Sequence, residues 1–468
     1  MTRPRFPRVD PGRRQRGSVL IIVLWICLGL VALVLYFADT VNSELQASAN
    51  RVGEIEARQA VAAGTRYAAY VLNNYAIDGV VPENGIPPEQ TTDYYSAALK
   101  VGGQAGDPQF WFIGRDANNL PATDPVFCLV DETSKLNLNT ATVSMLDLLP
   151  METMTSEFAA AIVAWRTRQS QSGGSAADNT YSTLDPPRLN KGAPFESVFE
   201  LRLVYGATLD LLFGEDANLN GALDPNEDDG DQSPPHDNQD GVLQPGMFEY
   251  VTAFSSQPNT TRGGSARVNI ANLSNAQSIQ RLTALMSRKG IAAGRRTAIL
   301  ANLRRARSTL LFNSVADFML ASGMTANEFA LIHTSVTAAA GSSSPGLVNV
   351  TTASETVLAC IPGIGPGNAT SLVAYRLANP NSLASLAWIT HVLSPAAIRR
   401  AGPYITDQSY QFSADIAAVG RFGRGYHREK VVFDTSRGTP RIIYRQDLSS
   451  YGWALGARVR QALKTAHP

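Results

Sequence analysis

The sequence predicts an α+β protein in which a long N-terminal helix and a small antiparallel sheet are interrupted by a large, mainly helical insert. An uncharged run of about 20 residues continues without proline into a helix-periodic segment. Strand-like segments lie on both sides of a region with helical periodicity. The chain has 468 residues, of which 44% are apolar and 17% charged. This length and composition favour several folded units and exclude a disordered chain.

The net charge of zero conceals two parts of opposite charge. Residues 1–17 contain six arginines and one aspartate, whereas the remaining chain contains 34 basic and 39 acidic residues. The N-terminal leader therefore carries +5 and the rest of the chain −5. Because a protein dedicated to polyanions normally has a basic excess, the composition disfavours that class.

The apolar run 18–38 is long enough to cross a membrane, because 1.5 Å per residue gives roughly 30 Å, the thickness of the hydrocarbon core. The arginines before it and the acids after it, beginning with Asp39, predict a cytoplasmic N-terminus and an exported body. Helical spacing without proline continues to Leu72. We therefore expect one helix over residues 18–72, half apolar and half amphipathic.

Residues 73–131 and 401–468 are predicted to supply the sheet. Both stretches contain short runs of β-branched and aromatic residues, which favour strands. The candidate strands are Gln109–Gly114, Val126–Val130, Tyr410–Val419, Glu429–Phe433 and Arg441–Arg445.

The insert is predicted to contain two helical units, 132–213 and 250–400, separated by an acidic loop region, 214–249. Three segments share an apolar-Asn-apolar start followed by a helix-capping Ser, Thr or Asn, which indicates a divergent internal repeat. These segments are Asp131–Leu146, Arg267–Ile279 and Leu347–Leu358. Two stretches rich in small polar residues are expected to be linkers, Gln169–Asn179 and Ser255–Ser265.

The third repeat continues into a helix-hairpin-helix pattern, in which Gly363 and Gly365 allow the tight turn. Such units often bind DNA through hairpin amides and nearby basic residues. Residues 362–374 contain no Lys or Arg. The basic cluster Arg288–Arg307 is compatible with phosphate contact or with the charged face of an ordinary helix. We expect a structural hairpin and no nucleic-acid partner.

The acidic loop region contains the spacing of an EF-hand calcium loop. Oxygen side chains stand at positions 1, 3, 5, 9 and 12, a glycine stands at position 6, and position 7 offers its backbone carbonyl. The predicted Ca²⁺ ligands are Asp216, Asn218, Asn220, Ala222, Asp224 and Glu227. Since two ligands are neutral, we expect weak, structural binding, and a solvated acidic loop is the alternative.

A second loop offers a possible second metal site at Asp237 and Asp240. Its Asp-x-x-Asp-Gly pattern resembles part of a calcium loop, but His236 stands where the first acid belongs. Catalysis has little support, because the five histidines are scattered and neither an HExxH motif nor a Gly-x-Ser-x-Gly elbow is present. We therefore expect a protein that is not an enzyme.

The sequence Arg-Gln-Arg-Gly17 followed by an apolar helix resembles the class III signal of type IV pilins and of the pseudopilins of type II secretion. Major pilins carry a Glu at the fifth mature position, where this chain has Ile22. The insert starts with Asp131-Glu132 and Lys135-Leu-Asn-Leu-Asn139 and ends before a closing strand pair. With the hairpin region, these features resemble the protein K family of minor pseudopilins (GspK family).

The resemblance implies that a prepilin peptidase cleaves after Gly17 and methylates Ser18. It implies a single-pass protein in the lipid of the cell inner membrane, with a cytoplasmic N-terminus and most of the chain in the periplasm. Such a protein caps the pseudopilus tip with the minor pseudopilins I and J, initiates its assembly and helps export folded proteins across the outer membrane. The missing Glu at Ile22 suits a subunit with nothing above it.

Two other functions stay open at this point. One is a membrane-anchored DNA-uptake protein that uses its helix-hairpin-helix units, and the other is a type IV pilus tip subunit. Assays of exoprotein secretion and of transformation after gene deletion distinguish secretion from DNA uptake.

Overall fold

A computed structural model of the chain describes residues 17–77, 79, 99–100, 106–115, 125–168, 180–261, 263–306 and 310–465. Residues 1–16 of the leader and the proposed linker Gln169–Asn179 lie outside the described residues.

The N-terminal helix α1 runs from Gly17 to Tyr75 and contains 59 residues. The expected long helix is confirmed and extends slightly beyond both predicted ends. The apolar side chains of its first half are exposed, whereas Ala60, Val61 and Leu72 in its second half are buried. A Cβ at Gly64 would lie 2.9 Å from Ile416 Cγ2, so glycine lets α1 approach the sheet closely.

The strands confirm the five segments predicted to form the sheet. The main sheet is antiparallel with the order β1-β2-β13-β14-β15, while β3 pairs with β2 and β4 pairs with β13. Its strands are β1 Leu99–Lys100, β2 Gln109–Gly114, β3 Val126–Phe127, β4 Val130–Asp131, β13 Gln411–Val419, β14 His427–Asp434 and β15 Arg441–Asp447. The insert contains β5 Leu136–Asn137, β6 Val251–Thr252, β7 Ser256–Pro258, β8 Val268–Asn269, β9 Val336–Thr337, β10 Ser343–Pro345, β11 Val348–Asn349 and β12 Ile405–Thr406.

Alternate residues of the sheet face two different cores, as the period of two in a strand requires. Phe110 and Phe112 lie on the face that packs on α1. Trp111 and Ile113 lie on the opposite face and pack with Leu455, at the start of a C-terminal helix that the sequence did not reveal. The sheet is therefore covered on both sides.

The insert is mainly helical, as expected. Most of its helices begin at a Ser, Thr or Asn whose side chain accepts a backbone N–H, for example Thr155 and Ser354. Its helices are α2 Val143–Leu146, α3 Ser156–Arg166, α4 Leu209–Phe213, α5 Met247–Tyr250, α6 Ala276–Arg288, α7 Ala293–Ala306, α8 Val315–Ser322, α9 Ala326–Ile332, α10 Glu355–Ala359, α11 Gly365–Ala378 and α12 Pro395–Ala401, and α13 Gly456–Thr465 follows the sheet. Short 3₁₀ helices lie at Glu132–Ser134, Val198–Leu203, Pro225–Glu227, His333–Ser335, Pro380–Ser382, Leu386–His391, Gly402–Tyr404, Arg421–Gly423 and Ser449–Tyr451.

Each apolar-Asn-apolar segment forms a two-residue strand that pairs in parallel with a later Val-Thr or Ile-Thr. The pairs are β5 with β6, β8 with β9 and β11 with β12. In each pair the Asn side-chain oxygen accepts the backbone N–H two residues later, at 2.8, 2.8 and 2.9 Å. The pairs group the insert into three closed units, 136–252, 268–337 and 348–406, and the first of these contains the whole acidic loop region.

The expectation that Ser255–Ser265 is a linker is wrong at its first part. Ser256–Pro258 pairs with Ser343–Pro345, and Ser255 is only 1% exposed. Ser255 is held by Asn137, whose side-chain amide donates to the Ser255 carbonyl at 2.9 Å. Polar composition was misleading here, because these polar groups are buried and hydrogen-bonded.

Candidate metal site between the sheet and the insert

The acidic loop Asp216–Glu227 lies in the first unit of the insert, against the main sheet. It follows α4 directly and ends in the 3₁₀ helix Pro225–Glu227. The chain before the loop is fixed by a β-bridge between Gly214 and Pro245 and by the Glu215 N–H, which donates to the Gln244 carbonyl at 3.0 Å. The loop therefore has a fixed entry and a fixed exit.

The side chains at the first positions of the loop accept backbone N–H groups within the loop. Asp216 accepts from Asn220 and from Gly221, both at 2.9 Å. Asn218 Oδ1 accepts from the Asn220 N–H at 3.0 Å, and Asn220 Oδ1 accepts from the Ala222 N–H at 2.7 Å. The alternating oxygens that the sequence predicted therefore lie on the same side of one tight turn.

Glu227 closes the loop from its far end and is 1% exposed. Its Oε1 accepts the Ala217 N–H and its Oε2 accepts the Asp224 N–H, both at 3.0 Å. The twelfth position is thus tied to the second and to the ninth. Gly221 is required at the turn, because its φ is +72° and a Cβ there would lie 2.5 Å from Arg115 Nε.

Three carboxyl groups of the loop resist ionisation. Burial raises the pKa of Glu227 to about 8, and the neighbouring Asp216 carboxylate contributes to the rise. Burial raises the pKa of Asp216 to about 6, although the Arg115 guanidinium opposes the rise. Burial also raises the pKa of Asp224. A bound cation would favour the ionised form of all three groups.

The donor chemistry of the loop fits Ca²⁺, since every predicted ligand is an oxygen. In the parts of the chain that the structure describes, no three His, Cys, Asp or Glu side chains are grouped to hold a metal ion. The predicted site has three ligands of those residue types, Asp216, Asp224 and Glu227, and their carboxyl groups are therefore not gathered around one metal position in this structure. The side-chain amides of Asn218 and Asn220 donate to Asp224 Oδ2 at 2.6 and 2.9 Å. Calcium binding therefore requires both amide groups to turn away from Asp224.

At the second loop, the protein's own N–H groups occupy the predicted ligands. The Asp237 carboxylate accepts from the backbone of Asp229, Gly230 and Gln239, each at 2.9 Å. Burial raises the pKa of Asp237, but these N–H donors outweigh it and leave the pKa lowered. Asp240 accepts from Val242 at 2.8 Å. These contacts account for both carboxylates without a metal, so the second site stays a prediction.

Arg428 in β14 binds the outer side of the loop Asp216–Glu227 and is 0% exposed. Its Nε and Nη2 donate to the Asp415 carboxylate at 2.8 and 2.6 Å. Its Nη1 donates to the Asn218 carbonyl, and Nη2 also donates to the Leu219 carbonyl at 2.9 Å. A sheet residue therefore holds the backbone of the insert's loop.

Arg115, which follows β2, binds the adjacent part of the same backbone. Its Nη2 donates to the Leu219 carbonyl at 3.1 Å and its Nη1 to the Asn220 carbonyl at 3.0 Å. Its Nε donates to Glu249 at 2.7 Å. No pattern in the sequence indicated Arg115 or Arg428, because an arginine in or beside a strand is ordinarily solvated.

The Asp-Glu-x-x-Lys segment at the start of the insert forms a buried polar cluster beside this site. Asp131 accepts from Thr352 Oγ1 and Ser409 Oγ, both at 2.6 Å. Burial raises the Asp131 pKa to about 6 against those hydrogen bonds. Burial also raises the pKa of Glu132, but Lys430 and Lys135 outweigh it and hold this pKa at about 2.

The helix-hairpin-helix turn packs against another helix of the insert. Gly363 and Gly365 have φ values of +90° and +69°, as the predicted tight turn requires. A Cβ at Gly363 would lie 2.7 Å from the Ala397 carbonyl oxygen and 2.6 Å from Arg400 Cβ, both in α12. This close contact gives the Gly363 side of the hairpin a structural role.

The basic cluster lies in a different unit from this turn. Residues 250–316 contain ten Lys or Arg residues and no acid, and α6 and α7 pack in the core of the second unit. The hairpin residues Ile361 and Ile364 belong to a core formed mostly by the first and third units, to which Ala316, Met319 and Phe329 of the second unit also contribute. The backbone turn and the basic residues that a DNA-binding hairpin combines are therefore on separate units.

The N-terminal segment has the properties of a membrane span. Gly17 begins α1, and Ile22 is 57% exposed. The helix Val19–Asn74 is long and apolar enough to cross a membrane, with a most apolar window of mean hydropathy 3.0 that is 0% buried. A large exposed apolar surface of this kind needs lipid or protein around it.

Comparisons with known proteins give one family match. The family model described as type II secretion system (T2SS), protein K, first domain, matches residues 119–212. No curated protein matches the chain. A solved structure, the GspK-GspI-GspJ complex from the enterotoxigenic Escherichia coli type 2 secretion system, has 9% identity and a TM-score of 0.35, covering 87% of this chain and 99% of that chain. A likeness at this TM-score carries no argument here.

The long N-terminal helix packed on a small antiparallel sheet, with a candidate membrane span at its start, defines a pilin-like protein with a large helical insert. The match over residues 119–212 shows that this part of the chain, the start of the insert and its first helical unit, is similar to protein K of type II secretion. The family resemblance found in the sequence is thereby confirmed.

Proposed function

We propose that this chain is a minor pseudopilin that caps the tip of the type II secretion pseudopilus and initiates its assembly. It acts as an assembly subunit and not as an enzyme. In this role it promotes export of folded proteins across the outer membrane, together with the minor pseudopilins I and J.

The observation that carries the proposal is that the second and third units of the insert contact the end of the sheet far from the membrane span. Gly79, just beyond the end of α1, accepts the Ser409 N–H at 2.8 Å. From the insert, Asn349 donates to Ser409 at 2.8 Å and Arg267 to the Tyr410 hydroxyl at 2.6 Å. The second and third units therefore contact the segment at this end, which supports a terminal subunit.

The N-terminal segment supports insertion and processing at the inner membrane. In this proposal the prepilin peptidase cleaves after Gly17 and methylates Ser18, the N-terminus is cytoplasmic, and the body is periplasmic. In major pilins a carboxylate at the fifth mature position pairs with the neighbouring subunit. Ile22 has no carboxylate, so a subunit with none above it leaves no charge unpaired at this position.

The proposal includes one structural Ca²⁺ bound by Asp216, Asn218, Asn220, Ala222, Asp224 and Glu227. The three carboxyl groups with raised pKa support a cation at this place. Calcium would be held from the inner side of the loop and would supply only structure.

Gene deletion with complementation tests the proposed function. We expect the deletion strain to lose exoprotein secretion, to keep natural transformation, and to regain secretion with the wild-type gene. Immunogold labelling of overproduced pseudopili is expected at one end of each filament. Labelling along the filament would contradict the capping role, and loss of transformation with normal secretion would favour the DNA-uptake alternative.

A further inference from the structure

We propose that Arg115 and Arg428 make the calcium loop the joint between the sheet and the insert, so that calcium binding and docking of the insert on the sheet are coupled. This inference rests on the proposed calcium site. It assigns a positioning role to two arginines that bind the loop through its backbone carbonyls, although Arg115 Nη2 also lies 3.8 Å from the predicted ligand Asp216 Oδ2.

The two sides of the loop face different partners. The ligand oxygens of Asp216 and Glu227 accept backbone N–H groups within the loop. The carbonyls of residues 218–220 point outward and accept from the two arginines. A cation on the inner side and the sheet on the outer side therefore act on one short stretch of backbone.

The sheet side of the joint is rigid, because Arg428 cannot move away from the loop without losing buried hydrogen bonds. Its guanidinium is fully buried and anchored by Asp415 in the neighbouring strand β13. Without the loop, its donors to the Asn218 and Leu219 carbonyls would lack those partners. A buried donor without a partner destabilises the fold, and more so when the donor is charged.

The loop side of the joint depends on the shape of the turn. The outward carbonyls lie in the segment that contains Leu219, whose φ is +58°, and Gly221. A non-glycine residue in the left-handed region is strained unless its surroundings hold it there. A cation bound by Asp216, Asn220 and Glu227 would hold this same turn in one conformation. It would thereby also hold in place the carbonyls that the arginines bind.

Thermodynamic coupling acts in both directions. If the arginines favour the loop shape that binds calcium, calcium equally favours the docked loop. Couplings of this kind are about 1–3 kcal/mol, or 5–150-fold in affinity. The full joint would transmit force between the helix-bearing sheet and the insert at the proposed tip.

Calorimetry with calcium chloride on the detergent-solubilised full chain tests the coupling. We expect Arg428→Gln to weaken calcium affinity at least 10-fold. Arg376→Gln is the matched control, because Arg376 is also buried, 4% exposed, and donates to the Val350 and Ala353 carbonyls within the third unit instead of the loop. We expect the control to change affinity less than 2-fold.

Arg115→Lys is the second variant, for the case that Arg428→Gln does not fold. Lysine keeps the positive charge beside Glu249, but its single ammonium cannot reproduce the fork that binds two carbonyls. We expect a 3- to 10-fold loss of calcium affinity with an unchanged circular dichroism spectrum. Wild-type affinity in folded Arg115→Lys and Arg428→Gln would overturn the positioning role alone.

Hydrogen exchange gives the reciprocal readout. Calcium is expected to slow exchange of the β14 amides in the wild-type chain and to leave the α8 amides unchanged. Calcium heat without added protection in β14 would overturn the coupling while leaving the calcium site intact. A wild-type chain that gives no calcium heat would overturn the calcium proposal itself, and the inference with it.

Discussion

Glu227 predicts an unusual pH dependence of stability in the calcium-free protein. Its ordinary pKa of 4.5 is raised to about 8 in the fold, first by burial and then by the Asp216 carboxylate. Between these two values the folded chain keeps the proton while the unfolded chain has lost it. Because the folded state then binds more protons, the free energy of unfolding falls as pH rises.

The magnitude follows from proton linkage. One proton difference changes the free energy of unfolding by about 1.4 kcal/mol per pH unit. From pH 6 to pH 7.5 the calcium-free chain is therefore expected to lose about 2 kcal/mol. Asp216 adds little in this window, since its pKa of about 6 lies at the lower edge. Calcium requires ionised ligands, so saturating calcium should remove the slope.

Urea unfolding of the detergent-solubilised full chain, followed by tryptophan fluorescence, measures this slope. Trp453 lies next to the loop, because Asn218 donates to its carbonyl at 3.2 Å. Glu227→Gln removes the titrating group and should give the same stability at both pH values without calcium. An equal slope with and without calcium, or an unchanged slope in Glu227→Gln, would refute the reasoning.

Three further predictions test the turn, the repeat and the processing site. In urea unfolding, Gly221→Ala should lose at least about 1 kcal/mol more stability than the control Gly241→Ala. Both glycines have φ near +72°, but only a Cβ at Gly221 would clash with Arg115, so equal losses would contradict this contact. Asn349→Ala should lower the free energy of unfolding by about 1–3 kcal/mol, and Asn269→Ala, at the exposed equivalent position, by clearly less. Similar losses in the two variants would contradict the idea that burial of the Asn sets the size of the loss. Mass spectrometry should find a mature N-terminus at methylated residue 18, and a retained leader would remove the main support for processing.

Local patterns in the sequence were sufficient for the long N-terminal helix, the longer strands and the family resemblance. The apolar run 18–38 and the strand segment Gln109–Gly114 specify their structures through period and composition alone. The three apolar-Asn-apolar segments were also recognised as repeats. Their closing partners, such as Val336–Thr337, were missed, because a two-residue strand has no periodicity.

The spacing of the loop Asp216–Glu227 is visible in the sequence, whereas the surroundings of the loop are not. The proposed calcium ligands follow a fixed local spacing, so they can be predicted from the chain order alone. Arg428 is 208 positions after Asn220 in the sequence, and only the packed sheet brings its guanidinium to the same backbone. Burial is likewise a property of the tertiary fold, so neither the raised pKa of Glu227 nor that of Asp131 follows from sequence.

The insert enters and leaves the sheet at neighbouring points. Asp131 and Phe412 are register partners in β4 and β13, and Asp131 accepts from Ser409 Oγ at 2.6 Å. The two ends of the insert are therefore almost as close together in the sheet as the ends of a short turn would be. The entropy cost of closing a loop grows only slowly with its length, so the sheet can accommodate a long insertion at this position. A chain in which a few glycines and serines replace residues 132–408 should keep α1 and the strand order of the main sheet.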